Sequence, residues 1–261
     1  MMTNQEILSV ALAQSAADSN CGLSDFLSDK NKVVIPAGRD DVRKYLVLPF
    51  CCDLTSYGNN IVASVSGDIP NLADEVKKYI DSFPAYHCFE TPNMLVLQNA
   101  LRPHGLEICF MAEYWLPDAA RLCRRPLLYQ TRLLAPKDFE GFYTDEWSNA
   151  LCRDRKELDV LAVAAYDGGR IVGMAGCSAD CETMWQIGVD VLPSHRRRGI
   201  ASALVSSLAS ECLERGKVPF YCCAWSNVKS ARTAIQSGFR PAWVQLTAKP
   251  KEFVAGMNKK K

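Results

Sequence analysis

The sequence predicts an α/β (α+β) protein in which a mixed central sheet is flanked by helices and preceded by a smaller α+β domain. Across residues 128–247 the apolar pattern gives the order strand, helices, three strands, helix, strand, helix and strand. Within that order, Asp167-Gly168-Gly169 separates two apolar runs, a combination that favours a β-hairpin. Residues 1–120 also contain helical and strand patterns, but none of them indicates a function.

Three helices and two strands are predicted in the N-terminal half. Apolar residues three and four positions apart indicate the first helix. The second begins at Asn71, with Asp74 placed to complete a cap, and stops before Pro84. The third begins at Pro92. The predicted helices are residues 4–17, 71–83 and 92–101, and the predicted strands are residues 61–65 and 106–116.

A connector at residues 116–126 leads into the C-terminal half. The strands predicted there are residues 128–134, 158–166, 170–177, 183–192, 218–224 and 242–247. Helical patterns cover a charged stretch at 138–156 and two segments at 199–215 and 228–237. The basic tail, residues 249–261, is predicted to be frayed.

Length and charge both indicate two domains. The predicted division is 1–120, 121–248 and the tail 249–261, since 261 residues exceed the usual size of one domain. Residues 1–120 carry 8 basic and 15 acidic side chains, whereas residues 121–261 carry 22 and 14. Opposite charges should attract the two halves. The overall net charge of +1 argues against a dedicated nucleic-acid binder.

The twelve cysteines are interpreted as reduced thiols, because most lie singly inside apolar runs. Their spacing lacks the paired ligands of a zinc site, so no metal is expected. The first 17 residues lack the pattern of a signal peptide, and no run is long enough to span a membrane. The expected location is therefore cytoplasmic, with no membrane partner.

One loop is the strongest candidate for a binding site. An apolar strand ends at Pro193, a run of three arginines follows, and a helix begins at Gly199. Backbone N–H groups at a helix start, together with arginines, suit an anionic diphosphate. The alternative interpretation is that Arg196, Arg197 and Arg198 are ordinary surface charges. The small Ala201 and the apolar face of the following helix favour the binding site.

This loop resembles the acyl-CoA-binding loop of the Gcn5-related N-acetyltransferases. In that family an Arg or Gln, two residues, a Gly, one residue and a Gly or Ala follow a Val-x-Pro strand end. Arg196, Gly199 and Ala201 occupy those positions here. A second signature runs from Trp225 through Asn227 to Gly238-Phe239, at the family spacing.

The resemblance implies a binding site for acetyl-CoA as co-substrate, and an amine acceptor. Residues Val189, Asp190 and Val191 would flank the pantetheine in a gap beside the next parallel strand, with a backbone N–H polarising the thioester carbonyl. Asn227 would contact the pantetheine or a phosphate, or serve only as a helix N-cap. The implied binding residues are Val189, Asp190, Val191, Arg196, Arg197, Arg198, Gly199, Ile200, Ala201, Ser202 and Asn227.

The catalytic groups depart from the family pattern. The family places a general-acid tyrosine seven residues after the asparagine, where this chain has Ala234. Trp185 and Cys222 stand where relatives often have a carboxylate base. The three catalytic candidates are Cys222, Tyr221 and Glu182. Asp180, Asp190 and, in the N-terminal half, Tyr57, His87, Glu90 and Glu113 stay open as alternatives.

Three functions are weighed. The leading one is an N-acetyltransferase acting on an amine by direct attack, with a homodimer as a possible state. Some bacterial acetyltransferases with a long N-terminal extension suggest a small-molecule acceptor, and the acidic N-terminal half would attract a cationic amine. The alternative is a catalytically silent acyl-CoA-binding or regulatory protein, suggested by the missing acid. A nucleic-acid binder is disfavoured, because no aromatic residues are interleaved with the basic charge.

Overall fold

A computed structural model describes residues 2–44, 48 and 50–259. The chain divides into two compact units, and each unit is made of two separate segments of the chain. The first unit comprises Met1–Ala11 and Tyr114–Pro241, and the second comprises Leu12–Glu113 and Ala242–Lys261. The predicted division into residues 1–120 and 121–248 treats each domain as one continuous segment of the chain.

The described residues form seven α-helices and ten strands. The helices are α1 (Asn4–Ser19), α2 (Leu23–Leu27), α3 (Leu72–Asp81), α4 (Thr91–Leu101), α5 (Ile200–Glu214), α6 (Val228–Gln236) and α7 (Lys251–Lys259). The strands are β1 (Lys32–Val34), β2 (Cys52–Ser56), β3 (Val62–Val65), β4 (Leu106–Pro117), β5 (Gln130–Leu134), β6 (Asp159–Asp167), β7 (Arg170–Ser178), β8 (Met184–Val191), β9 (Val218–Ala224) and β10 (Phe239–Pro250).

The first unit is built on a mixed sheet with the strand order β9-β8-β7-β6-β5. Strands β5 to β8 pair antiparallel, and β8 pairs parallel with β9. The β6–β7 hairpin turns at Gly168 and Gly169, both at positive φ, as the sequence predicts. Helix α5 buries Leu204, Leu208 and Cys212 in the core of this sheet.

Helix α5 has well-defined ends. It begins after Gly199, and Gly216 ends it in a left-handed conformation. The N–H groups of Gly216 and Lys217 donate to the carbonyls of Leu213 and Cys212, which is the Schellman arrangement. The helix is therefore fixed at its C-terminal end by its own backbone, whereas its N-terminal end has no side-chain cap.

The second unit has its own core and its own strand pairs. Strand β2 pairs antiparallel with β3 and β10, and β1 pairs parallel with β3. Helix α3 buries Leu72, Val76 and Ile80 in this core. A buried carboxyl, Asp53, accepts hydrogen bonds from Gln245, Thr247 and Thr55 at 3.0, 2.5 and 3.1 Å.

Most predicted elements are confirmed within a few residues, but three local predictions are wrong. Residues 138–156 form short 3-10 turns rather than a helix, because Pro136, Gly141 and a kink at Arg155 interrupt the pattern. The cap predicted for α3 is absent, since Asn71 is left-handed and its side chain caps nothing.

The third wrong prediction concerns the tail. Residues predicted to be frayed form α7, whose Phe253 lies 6.2 Å from Phe110 between ring centroids. Met257 adds a sulfur contact of 3.7 Å with Cys109. These tertiary contacts stabilise a helix that composition alone does not predict. No helix among the described residues is long and apolar enough to cross a membrane.

Candidate active site

Strands β8 and β9 separate part-way along their length. Their pairing runs from Met184 beside Val218 to Ile187 beside Tyr221 and then stops. Strand β8 continues to Val191 and keeps pairing with β7 on its other side. The backbone from Gly188 to Val191 therefore has an open edge toward β9, and its N–H and C=O groups on that side require a partner.

A loop of unusual backbone conformation follows β8. Pro193–His195 form a 3-10 turn, and Arg197 and Gly199 have φ of 62° and 77°. The left-handed conformation at Gly199 is one that residues with a side chain seldom adopt. Helix α5 begins directly after it, so the N–H groups of Ile200, Ala201 and Ser202 have no acceptor one turn earlier in the helix. The loop and helix start together form a cradle of backbone donors for an anion.

Side chains fix this cradle to its surroundings. Arg196 Nε donates to the carbonyl of Val191 at 3.0 Å. Arg198 donates to the Tyr129 hydroxyl at 2.8 Å and to the Ser194 carbonyl at 3.2 Å. Both arginines therefore have neutral partners here, which leaves their positive charge available to a ligand.

Helix α6 forms a second wall of the same cavity, which has a volume of about 970 Å³. Asn227 Oδ1 accepts from the Ser230 N–H at 3.2 Å, so Asn227 is the N-cap of α6. All eleven predicted binding residues line this cavity. The lining residues are Val189, Asp190, Val191, Pro193, Ser194, His195, Arg196, Arg197, Arg198, Gly199, Ile200, Ala201, Ser202, Tyr221, Asn227, Lys229, Ser230, Arg232, Thr233 and Gln236.

Tyr221 is the only one of the three catalytic candidates that lines the cavity. It sits at the last β8–β9 pair, where the strands begin to separate. Its hydroxyl lies 2.7 Å from Ser230 Oγ, and burial raises the pKa of its phenol above the ordinary value of 10, although the Ser230 hydrogen bond opposes that shift. The phenol is therefore neutral near pH 7 and holds a proton that it can donate.

Comparison with known proteins finds one matching protein family. Residues 128–239 match the model of the acetyltransferase (GNAT) family. The match covers less than half of the chain, and this part of the chain is therefore similar to a GNAT acetyltransferase domain. No curated protein is a significant match to the chain.

Solved structures show partial similarity to the chain. A GNAT-family protein from Novosphingobium aromaticivorans is 18% identical, with a TM-score of 0.45, over 55% of this chain and 66% of its own. A GCN5-related N-acetyltransferase-like protein from Streptococcus suis is 21% identical, with a TM-score of 0.42, over 56% of this chain and 63% of its own. A GCN5-related N-acetyltransferase from Kribbella flavida is 18% identical, with a TM-score of 0.45, over 58% of this chain and 63% of its own. The matches span slightly less than two thirds of these proteins.

Two of the three catalytic candidates lie away from the cavity lining. Cys222 follows Tyr221 on β9, so its side chain points to the opposite face of the sheet. There its sulfur accepts a hydrogen bond from Gln186 Nε2 at 3.1 Å. Glu182 precedes β8 at the end opposite the gap, where its carbonyl accepts from Lys217 at 2.7 Å. Ala234, at the position of the family tyrosine, is fully buried.

Asp190 holds a loop onto the sheet of the first unit. Its carboxylate accepts from the N–H and side-chain amide of Asn149 at 2.8 and 2.6 Å, and from the Ala150 N–H at 3.0 Å. Gly188 and Gly176 make room for this loop, since a Cβ at either would lie 1.8 or 2.0 Å from a loop carbonyl oxygen. With three donors on it, the Asp190 carboxylate is a structural acceptor rather than an available base.

Sequence reasoning missed part of the cavity wall. Lys229, Arg232, Thr233 and Gln236 line it but were not among the predicted residues. Their spacing of three, four and seven residues would have placed them on one face of α6. The pattern could not show that this face lines the same cavity as the arginine loop, which is the loop of Arg196, Arg197 and Arg198. The described residues contain no cluster of three or more His, Cys, Asp or Glu that could hold a metal.

Proposed function

We propose that the protein is an N-acetyltransferase that transfers the acetyl group of acetyl-CoA to an amine, here a small-molecule acceptor, by direct attack. The observation that carries this proposal is that one cavity joins the donor cradle before α5 to the gap between β8 and β9. A ligand with an anionic diphosphate at one end and an amide-containing arm at the other fits both features.

The residues present fit coenzyme A. The N–H groups of Gly199 to Ser202 and the nearby arginines would hold the diphosphate. The open backbone edge at Val189 to Val191 would pair with the amides of the pantetheine arm. When bound, acetyl-CoA supplies an acyl carbon activated as a thioester.

The chain would act on that carbon by orientation and hydrogen bonding. A backbone N–H near Val189–Val191 would stabilise negative charge on the thioester oxygen as the amine attacks. The new C–N bond would form as the C–S bond breaks, the amine would lose a proton to water, and water would return a proton to the group that protonates the leaving sulfur. Among the three candidates we choose Tyr221 to donate a proton to the leaving sulfur, because its neutral hydroxyl lies at the start of the gap.

A second candidate function is a catalytically silent acyl-CoA-binding or regulatory protein. The buried Ala234 and the placement of Cys222 and Glu182 away from the cavity lining favour it. Release of free thiol from acetyl-CoA in the presence of a panel of amines separates the two. An enzyme releases thiol only when an acceptor is present, whereas a silent protein binds the thioester without turnover.

The binding site is tested by Gly199→Glu. A Cβ at Gly199 meets no atom within 4 Å, so the substitution strains only the local backbone and the domain should fold. The added carboxylate would lie beside the diphosphate, and we expect acetyl-CoA affinity by calorimetry to fall at least about a hundredfold.

Gly199→Gln is the matched control, because it has the same size and backbone strain without the charge. A measurable loss of acetyl-CoA affinity in Gly199→Gln that is much smaller than the loss in Gly199→Glu supports the assignment of the binding site. Unchanged affinity in Gly199→Glu, or equal losses in both variants, would contradict it.

A further inference from the structure

One loop of the first unit reaches the open edge of β8 from the face of the sheet opposite to α5. Gly173 pairs with Val191, and a Cβ at Gly173 would lie 2.7 Å from the side chain of Ile200, so α5 covers the face to which Val191 points. Gly188 lies three residues before Val191 and therefore faces the other side. There the carbonyl oxygen of Asn149 packs on it, since a Cβ at Gly188 would lie 1.8 Å from that oxygen. Asn149 therefore lies beside the first residue of β8 after the last pair with β9.

Buried side chains on both sides of Asn149 hold this loop, residues 144–152, in place. Trp147 and Leu151 are buried and belong to the core of the first unit. The Leu151 N–H donates to the Trp147 carbonyl at 2.8 Å, which closes one helical turn around Asn149. Asn149 itself is exposed. The loop therefore presents one polar side chain from a well-packed base.

The Asp190 carboxylate fixes which way the amide of Asn149 points. One carboxylate oxygen accepts from Asn149 Nδ2 at 2.6 Å, and the other accepts from the N–H groups of Asn149 and Ala150 at 2.8 and 3.0 Å. An ionised carboxylate only accepts hydrogen bonds, so the amide must turn its NH2 group toward Asp190. Its Oδ1 then points away from Asp190, and no hydrogen bond within residues 2–44, 48 and 50–259 reaches that oxygen.

We infer that Asn149 Oδ1 accepts a hydrogen bond from the N–H of the acceptor amine, and that Asp190 is the positioning residue that keeps this oxygen available at the gap. The inference rests on the proposed function and deepens it, because it names a group of this chain that orients the attacking nitrogen. The hydrogen bond uses an N–H that the amine keeps while its lone pair attacks the thioester carbon. The proton lost after the attack still goes to water, because an amide oxygen does not act as a base near neutral pH.

Asn149→Ala tests the inference, because it removes Oδ1 and keeps both backbone N–H bonds to Asp190. Thiol release from acetyl-CoA is measured with a panel of primary amines that includes ethylamine, benzylamine and histamine, and the amine with the fastest turnover is used. We expect kcat/KM for that amine to fall about five- to tenfold, as for one hydrogen bond lost from the transition state. The affinity for acetyl-CoA by calorimetry should stay within about twofold.

Ser148→Ala is the matched control, since Ser148 is the neighbouring exposed residue and its hydroxyl donates to the Asp145 carbonyl at 3.1 Å. It should leave both kcat/KM and the affinity for acetyl-CoA unchanged. Urea unfolding of every variant shows whether kcat/KM falls without a matching loss of stability, which a merely structural role does not predict.

A pair of substitutions tests the positioning role of Asp190. Asp190→Asn should lower kcat/KM as Asn149→Ala does, because the new amide offers an NH2 group as well as an acceptor and lets the amide of Asn149 turn over. Combining Asn149→Asp with Asp190→Asn exchanges donor and acceptor. The carboxylate then accepts from the new amide and keeps one oxygen for the amine, so kcat/KM should return to within about threefold of the unmodified protein.

The outcomes separate the inference from the proposed function. Unchanged kcat/KM in Asn149→Ala would overturn the inference and leave the proposed function standing. A loss of acetyl-CoA affinity equal to the loss of kcat/KM would also overturn it, because the loop would then act on the donor. No recovery in the double substitution would overturn the positioning role of Asp190. Thiol release with none of the amines in the unmodified protein would overturn the proposed function, and the inference with it.

Discussion

At the scale of single residues, Tyr221 combines features that its neighbours on β9 lack. Its ring is buried with 5% of its surface exposed, and it lies 6.3 Å from Phe239 between ring centroids. Its hydroxyl nevertheless reaches Ser230 at the cavity. A phenol held by packing and by one hydrogen bond is a well-positioned proton donor. Cys222, one residue later, faces the other side of the sheet.

Tyr221→Phe should lower kcat about a hundredfold or more, because it removes the donated proton and keeps the ring. The affinity for acetyl-CoA should stay within about twofold, since the hydroxyl is not needed to hold the diphosphate. Steady-state thiol release and calorimetry measure the two effects separately.

Ser230→Ala serves as the control, because it keeps the phenol and removes only its partner, and it should lower kcat much less. Burial raises the pKa of Tyr221 above its ordinary value of 10, so activity should not decline below that pH through loss of this proton. Unchanged turnover in Tyr221→Phe would exclude it as the acid.

At the scale of elements, the start of α6 has two proposed roles. Asn227 caps the helix through its Oδ1, and it also lines the cavity. A cap and a ligand contact need different properties, because a cap needs only an acceptor whereas a phosphate or pantetheine carbonyl needs a donor. Two substitutions can therefore separate the roles.

Asn227→Ala should lower the free energy of unfolding by about 1 kcal/mol and also weaken acetyl-CoA binding, since it removes both the acceptor and the amide donor. Asn227→Asp keeps a good N-cap but places a negative charge in the cavity. It should retain stability and lose affinity, as measured by urea unfolding and calorimetry. Unchanged affinity in both variants would reduce Asn227 to a cap.

Strand β8 shows how neighbouring elements share one backbone. Its edge toward β7 is fully paired from Gln186 to Val191, whereas its edge toward β9 opens after Ile187. On the face of this strand, Gly188 admits the loop at Asn149 that Asp190 then holds. The six residues from Gln186 to Val191 therefore position both the gap between β8 and β9 and the loop at Asn149.

At the scale of the whole molecule, each unit has its own core and its own buried polar groups. In the second unit, burial raises the pKa of Asp53 from 3.8 to about 6, although hydrogen bonds from Thr247, Gln245 and Thr55 oppose the shift. The folded state therefore keeps a proton on Asp53 at pH values where the unfolded chain has lost it. Its contribution to stability is complete below about pH 4 and is lost as the pH rises through 6.

Asp53→Asn should remove this pH dependence, because an amide fills the same space without ionising. Relative to the variant, the unmodified protein should lose on the order of 2–3 kcal/mol of unfolding free energy between pH 4 and pH 7. Urea unfolding at both pH values, followed by a probe in the second unit, measures the difference.

Asp68→Asn, which alters an exposed carboxyl of the same unit, should show no such change relative to the unmodified protein. A pH dependence for Asp53→Asn equal to that of the unmodified protein would mean that Asp53 is ionised throughout this range in the folded state.

Local patterns were sufficient to predict most helices and strands of the first unit and the loop that forms the cradle. The loop from Pro193 to Ser202 is continuous in the chain, and its conformation depends on proline, glycine and the start of one helix. The DGG hairpin and the alternation of strands and helices are likewise set by nearest neighbours. Prediction from sequence failed at residues 138–156, where Pro136, Gly141 and the kink at Arg155 interrupt the helical pattern, and in the tail, where contacts with Phe110 and Cys109 stabilise a helix.

The sequence by itself determined the fold class and the position of the loop from Pro193 to Ser202, because both depend on residue order and short-range backbone preferences. Only the tertiary structure decided that the polar face of α6 meets the arginine loop, that Tyr221 reaches the cavity while Cys222 turns away, and that Asp190 is used to hold a loop. Each of these depends on contacts between segments far apart in the chain. Such contacts are set by how helices and strands pack, and packing is not encoded in any single stretch of sequence.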